Sequence, residues 1–287
     1  MDKLTVRANA KINLTLEVTG KLPNGYHTLR SVMQSVSLYD IVTVRRTLFG
    51  RTEVVCSDKS IPDDEDNIAF KAAKAFFDYM GMHGENVHIS IEKHIPSEAG
   101  LGGGSADAAA VIYCLNEIFG CGYSPEELCK IGERIGADVP FCIVGGTALC
   151  EGIGEKITLL PNICRQNVLI AKGKLGISTK EAYEHIDGAE LTHKKWDISD
   201  FRDNFKKMGS VCTNDFEAVS DNTEINAIKE TMLRFNAEFA QMSGSGSAVF
   251  GIFYNSEDAE KCRKSLISEG FFSELCEFSE NGIVKKE

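Results

Sequence analysis

No stretch of this 287-residue chain approaches the eighteen consecutive apolar residues that a membrane-spanning helix needs. Residues 1–18 also lack the continuous apolar core that marks a secretory leader. The expectation is a soluble cytoplasmic protein with no membrane partner. Positive charge is in deficit: 31 Lys and Arg against 42 Asp and Glu leave a formal net charge of -11. Phosphate backbones need an excess of cations somewhere, so the balance argues against a nucleic-acid partner. It does not argue against a small phosphorylated ligand, because a few cations and amides dominate inside a cleft. No C-x-x-C pair occurs among ten scattered cysteines, so free thiols in a reducing compartment are expected, with no metal cluster. Cys114, Cys121 and Cys129 lie in apolar or alanine-like contexts, where cysteine acts as a small hydrophobe. Apolar and charged contents of 43% and 25% are those of an ordinary globular protein, long enough here for two domains.

Two common phosphate motifs are missing as well. The glycine-rich stretch Pro96-Ser97-Glu98-Ala99-Gly100-Leu101-Gly102-Gly103-Gly104-Ser105-Ala106 has no Lys-Ser/Thr after its last glycine, as a Walker loop requires. Gly102-x-Gly104 is not completed by a third glycine either, so a Rossmann fingerprint is absent. What is present is a glycine loop feeding a helix. Ala108, Val111, Ile112, Leu115 and Ile118 recur at spacings of three and four, and Gly120 stands where a left-handed cap belongs. Residues without Cβ let successive amides curl into a concave nest, and the first helical turn adds partial positive charge. A polyphosphate suits that geometry, the bland alternative being a tight helix–strand turn.

Taken in order, residues 4–8 and 12–18 alternate as half-buried strands around Ala8-Asn-Ala-Lys11. Lys11 is a snorkelling strand lysine or, flanked by small residues that cannot cover it, a cleft-facing cation beside Asn13. Pro23-Asn-Gly25 is turn chemistry that presents Tyr26 and His27, either as a packed loop end or to stack on and hydrogen-bond a planar ring. Residues 33–44 read as one or two strands joined near Tyr39-Asp40, 51–56 as another, and 86–91 as a strand leading into the glycine loop, with Lys93 and His94 at the junction. A helix begins near Asn67 and carries Ala69, Ala72, Ala73, Phe76, Phe77 and Met80 on one face. Ser124-Pro-Glu-Glu127 is a capping box for a further helix that stops at Gly136. Asp138 either fixes the turn before Pro140 or sits at a cleft floor, and 142–150 reads as a strand. Beyond a boundary near residue 160, a strand covers 168–171 and a short helix carries Thr179 and Tyr183. Residues 187–207 read as an exposed connection, and a helix spans 225–235. Gln241 to Phe253 is a Gly/Ser loop feeding a buried strand, and Ser256 caps a last helix.

Three separated stretches, Ala8-Asn-Ala-Lys-Ile-Asn-Leu14, residues 96–106 and residues 242–250, together resemble the three motifs of the GHMP kinase superfamily of small-molecule kinases. Leu22-Pro-Asn-Gly-Tyr-His27, Gly100-Leu-Gly-Gly-Gly-Ser105 and Gly136-Ala-Asp-Val-Pro-Phe141 are similar to the branch that phosphorylates the C2 hydroxyl of a cytidine-diphosphate-linked methylerythritol in non-mevalonate isoprenoid synthesis. The resemblance implies an α+β two-domain fold. Residues 1–160 would form a ribosomal-protein-S5-like N-terminal domain with the phosphate loop, and 161–287 a ferredoxin-like C-terminal domain. It implies ATP with Mg²⁺, bound by residues 96–106, with no protein metal ligand assigned and Ser105 a phosphate or Mg²⁺ candidate or a plain cap. Lys11 and Asp138 would be the catalytic pair. Tyr26 and Tyr183 would sandwich the cytosine, His27 would hydrogen-bond it, and Asn13 and Thr179 would contact the methylerythritol and ribose. Related chains often carry phenylalanine where Tyr183 stands, and either ring stacks. Asp107 is expected to point outward, away from bound phosphate. The alternatives are another kinase of the superfamily, for homoserine, mevalonate or a sugar, or a non-catalytic nucleotide-binding regulator, in either case a monomer or homodimer.

Overall fold

Alternating apolar residues carry the chain through two long antiparallel strands, β1 (Lys3–Lys21) and β2 (His27–Thr47), which run almost the full height of the first sheet. The computed structural model describes residues 1–163, 166–201 and 205–286. Three register shifts interrupt the β1–β2 ladder, between Asn9 and Lys11, Asn13 and Thr15, and Val18 and Gly20. Each frees backbone groups and re-aims side chains. Residues 4–8 and 12–18, expected as two strands, are nonetheless one: the alternation runs unbroken from Leu4 to Val18 through the small residues Ala8 and Ala10.

The remaining elements follow as β3 (Glu53–Cys56), α1 (Ile68–Met80), β4 (Asn86–Glu92), α2 (Gly103–Phe119), α3 (Pro125–Gly132), α4 (Val139–Val144), β5 (Thr147–Gly152) and β6 (Lys156–Leu160). Then come β7 (Asn167–Lys172), α5 (Thr179–Ile186), a 3₁₀ turn at Ile198–Phe201, α6 (Phe205–Val211), α7 (Asp215–Ala218), α8 (Thr223–Arg234), β8 (Phe239–Met242), β9 (Val249–Phe253), α9 (Ser256–Ser268), β10 (Phe272–Glu277) and β11 (Ile283–Lys285). The first sheet has seven strands along the path β11-β1-β2-β4-β3, with β5 and β6 branching from β2. Residues 41–47 of β2 pair with β4, whereas residues 29–34 pair with β5. The sheet therefore splits at 35–40, opposite Lys11, whose partner is Ser35. The second sheet is ordered β10-β7-β9-β8. With α8 and α9 in the crossovers, this is the strand order of a ferredoxin-like β-α-β-β-α-β unit. Division at residue 160 runs between β6 and β7, and β11 crosses back to pair with β1.

Local chemistry sets most boundaries. Asn67 caps α1 by accepting from Ala69 N, and Gly81 ends that helix with φ 66°. The Ser124 box is complete in both directions, and Gly120 closes α2 with φ 63°. The last helix is capped by Asn255 rather than Ser256, one residue earlier than expected. Two larger corrections concern type. Residues 139–144 form α4, so the expected strand over 142–150 begins only at Thr147. A six-residue apolar run carries no usable period, and Pro140 in the first turn favours a helix start. Residues 33–44 lie within one strand with no turn at Tyr39-Asp40.

The main core joins both sheets: Val6, Ile12, Val36 and Ile89 from the first, with Phe76 of α1 and Leu115 of α2, are continuous with Ile170, Phe250 and Ile252 from the second. Residues 187–207 are not a merely exposed connection, although 202–204 lie outside the described residues. Trp196 and Phe201 are buried and meet edge to face at 5.4 Å between centroids. Trp196 Nε1 donates to Glu17 Oε1 at 2.8 Å, and the Arg30 guanidinium lies 3.6 Å from the Trp196 ring. The surrounding acidic and basic residues hid this apolar anchor. Among the described residues no helix is long and apolar enough to cross a membrane. Phe201→Ala should destabilise the protein by about 3–5 kcal/mol, read as a shift in urea midpoint. A shift within ~0.5 kcal/mol, as at an exposed site, would return this stretch to solvent.

Candidate active site

A cleft of about 810 Å³ opens where the split of the first sheet meets α5 and the β8–β9 connection. One wall is the glycine loop, which is built to face it. The carbonyls of four consecutive residues are held from behind. Glu98 O accepts from Ser247 N (3.4 Å), Ala99 O from Ala248 N (3.1 Å), Gly100 O from Ser243 Oγ (3.0 Å) and Leu101 O from Lys11 N (3.0 Å). By contrast, none of the backbone N–H groups from 100 to 105 has an acceptor among the described residues. Gly100 and Gly102 adopt φ of 71° and 69°. A Cβ on Gly100 would lie 2.0 Å from Ser243 O, and one on Gly102 would lie 2.9 Å from Lys11 Cγ. Glycine is required there by conformation and by space. The resulting row of free donors at the start of α2 is an anion cradle.

β1 delivers the second component. Lys11 is 4% exposed, and its ammonium lies 3.3 Å from Asp138 Oδ2 and donates to Asn13 Oδ1 at 2.8 Å. Asn13 is fully buried, and both ends of its amide are used, because Nδ2 donates to Ser31 Oγ at 2.8 Å. Ser31 Oγ in turn donates to Thr15 O at 2.6 Å. The chain from Asp138 to Thr15 thus fixes the ammonium in one position. Asp138 stands immediately before α4, with its side chain 30% exposed to the cleft. An amino group from the first hairpin and a carboxylate from mid-chain therefore meet at the mouth of the cradle.

The opposite end of the cleft is aromatic. The hairpin tip places Tyr26 largely in solvent and buries His27, which stacks on Tyr183 of α5 at 4.6 Å with 17° between planes. His27 therefore covers one face of Tyr183, and Phe216 meets Tyr183 edge-on at 4.8 Å. Burial pushes the Tyr183 hydroxyl up to about 12, with Asp138 adding to it, so this ring stays neutral at physiological pH. Thr179, at the first turn of α5, hydrogen-bonds Ser245 Oγ at 3.1 Å and lines the same space.

Some of the arrangement was not expected from sequence. Asp107 does not point outward: it is 4% exposed and accepts from Lys93 Nζ at 2.7 Å. Lys93 also donates to Asp40, a fully buried carboxylate whose Oδ1 accepts the backbone N–H of His94 (2.6 Å) and Ile95 (2.8 Å). The helix turn that carries the cradle thus presents its acidic residue to a buried lysine rather than to solvent. An acidic residue inside the apolar alternation of β2 was the available signal for Asp40. Asp187, which bonds His27, and Ser243, which braces the loop, were also passed over.

Comparison with known proteins now has a geometry to rest on. Residues 67–146 match the GHMP kinases N terminal domain, and residues 196–271 match the GHMP kinases C terminal domain. A protein of Caldicellulosiruptor saccharolyticus, 4-diphosphocytidyl-2-C-methyl-D-erythritol kinase, is 43% identical over 285 residues, covering 96% of this chain and 97% of its own. The chain belongs to the GHMP kinases and is a small-molecule kinase, a class whose phosphoryl donor is ATP. The kinase of the same name from Clostridium acetobutylicum is 43% identical, with 90% of this chain and 94% of that protein covered. Among solved structures, a 4-(cytidine 5'-diphospho)-2C-methyl-D-erythritol kinase superposes with a TM-score of 0.77 at 25% identity, over 96% of this chain and 99% of the other.

The Asp40–Lys93–Asp107 cluster gives a pH signature. Two buried carboxylates share one ammonium, and Asp107 Oδ1 has no hydrogen-bond partner among the described residues. Burial, opposed by Lys93 and reinforced by Asp40, pushes the Asp107 carboxyl from 3.8 up to about 7. A pKa raised on folding means that the folded state holds the proton more tightly, so stability is present in full below 3.8 and is lost as pH rises through about 7. The urea midpoint of the wild type should therefore fall between about pH 4 and 7 relative to that of Asp107→Asn, whose profile is flatter. Parallel profiles would show that Asp107 ionises normally.

Proposed function

We propose that this protein transfers the γ-phosphoryl group of ATP to the C2 hydroxyl of 4-diphosphocytidyl-2-C-methyl-D-erythritol, a step of non-mevalonate isoprenoid synthesis. The observation that carries the reading is the 3.3 Å approach of Lys11 to Asp138 beside a row of unpaired amides. The relatives that share both halves of the chain bear the name of that kinase. The reading takes residues 1–160 as the phosphate-binding domain and 161–287 as the one that supplies Thr179 and Tyr183 to the acceptor.

In this reading residues 96–106 hold the nucleotide phosphates through backbone amides. Asp138 takes the proton as the acceptor oxygen bonds to the γ-phosphorus. The bond from that phosphorus to the β–γ bridging oxygen breaks, and ADP departs with the electron pair. A tertiary alcohol is a weak nucleophile, so a carboxylate within hydrogen-bond reach and a held phosphoryl group are what the step requires. Lys11, fixed by Asn13, orients Asp138 and the acceptor oxygen and offsets charge on the phosphoryl oxygens. Asn13 serves the acceptor by fixing Lys11, since its own amide is spent on Lys11 and Ser31.

Mg²⁺ keeps most of its shell as water and substrate phosphate, and Ser105 beside the cradle is a protein oxygen available to it. The ion would neutralise charge on the phosphates. The wall of Tyr26, His27 and Tyr183 suits a planar base, which homoserine, mevalonate and simple sugars lack.

Phosphorus NMR after incubation with Mg-ATP and each candidate acceptor tests the assignment directly: phosphate should appear on the C2 hydroxyl of the cytidine compound, and transfer to another acceptor alone would replace it. Asp138→Asn should keep ATP affinity and lose roughly a hundred- to ten-thousand-fold in kcat. An undiminished kcat would remove Asp138 from the proton transfer. His27→Ala should raise KM for the cytidine acceptor with KM for ATP unmoved, and equal effects on both would remove His27 from base recognition.

A further inference from the structure

We infer that Asp187 fixes the tautomer of His27 and thereby makes the base site select an amino-bearing pyrimidine over its oxo counterpart. The inference rests on the cytidine reading above and adds a positioning residue to it. Asp187 caps the C-terminal end of α5 and meets the base of the β1–β2 hairpin tip beside the cleft. Its Oδ1 lies 2.7 Å from His27 Nε2, while its Oδ2 accepts from Lys21 Nζ at 2.5 Å. Hydrogen bonds from Lys21 and then from His27 hold the Asp187 carboxyl below its ordinary range, so at neutral pH it is an acceptor only.

That fact settles the proton on the ring. A neutral imidazole has one N–H and one lone pair, and the partner of one nitrogen decides the other. Facing a carboxylate, Nε2 of the neutral ring carries the hydrogen, which leaves Nδ1 with a lone pair. The ring has no latitude to turn over, since it is 8% exposed and stacked on Tyr183. Nδ1 has no protein hydrogen bond among the described residues, and His27 lines the cleft. The site therefore offers an acceptor at that point. Cytosine presents an exocyclic amino group, a donor, whereas uracil presents a carbonyl oxygen at the same position. An acceptor facing a carbonyl leaves two lone pairs opposed, the kind of mismatch by which a polar site rejects a close analogue. The same carboxylate that orients a metal-bound histidine elsewhere acts here on a histidine that reads a base.

The test compares kcat/KM for the cytidine acceptor with that for its uridine analogue and follows the tautomer independently. In the wild type labelled with ¹⁵N-histidine, long-range proton–nitrogen spectra, assigned with His27→Gln, should show His27 as the Nε2–H form. Asp187→Ala should give a mixture of tautomers and lower the cytidine-to-uridine ratio by about tenfold or more, with KM for ATP unmoved. Asp187→Asn offers a group that both donates and accepts and should move both readouts the same way. Asp187 is exposed enough for either variant to fold. A wild-type Nδ1–H form, or a ratio unchanged while the tautomer shifts, would overturn the inference. Loss of the cytidine reading itself has a separate signature, a His27→Ala variant whose KM for the cytidine acceptor does not move.

Discussion

The arrangement depends on one backbone hydrogen bond, from Lys11 N to Leu101 O. The Lys11 amide faces away from β2, as does that of Asn9 two residues earlier, which donates to Gly282 O. Pairing with β11 covers only Val6 to Ala8, so the edge of β1 beyond it is where the glycine loop docks. The Lys11 side chain passes over Gly102, where a Cβ would lie 2.9 Å from its Cγ, and reaches Asp138. One residue of one strand thus anchors the phosphate loop and sets the ammonium at its rim. Without it the loop would lose a brace and the carboxylate its partner together.

Support for the loop comes from two directions, and both are costly to satisfy elsewhere. Behind it, the β8–β9 connection supplies Ser243, Ser247 and Ala248, and Asn214 holds that connection through Met242 O and Gly244 O at 2.8 Å each. Beneath its helical end lies the buried Asp40–Lys93–Asp107 cluster. Removing charges from water is unfavourable unless geometry compensates, so the cluster contributes position more than stability. It ties α2, the β4 end and β2 into one frame and leaves the amides of 100–105 free for a guest.

How much of this the sequence disclosed follows from the range of the interactions. Caps and turns are local, so Asn67, Gly120 and the Ser124 box announced the start of α1, the end of α2 and the start of α3 within a residue or two, whereas α3 ends at Gly132, short of the stop expected at Gly136. The three motif stretches led to Lys11, Asp138 and the loop before any contact between them was visible. Direction was the hidden quantity. Asp107 turned inward because its partner, Lys93, is itself committed to Asp40, 53 positions away from it. The charge-rich 187–207 stretch concealed Trp196, whose partner Glu17 lies 179 positions earlier. Residues 139–144 misled for another reason: six apolar residues fit a strand or a buried helix equally, and packing between α2 and α3 decided.

The return of residues 281–285 to the edge of β1 has a consequence for biosynthesis. Asn9 N donates to Gly282 O at 2.8 Å and Asn9 Nδ2 to Asn281 O at 2.8 Å, one residue before the bulge. The contact is close: a Cβ on Gly145 would lie 1.9 Å from Gly282 N, and one on Gly282 would lie 2.0 Å from Cys142 O. A ribosome makes this clasp after every element it secures, so the nascent chain holds β1 with one edge bare until residues 281–285 emerge. The first sheet is thus closed only after the second has been synthesised, rather than domain by domain.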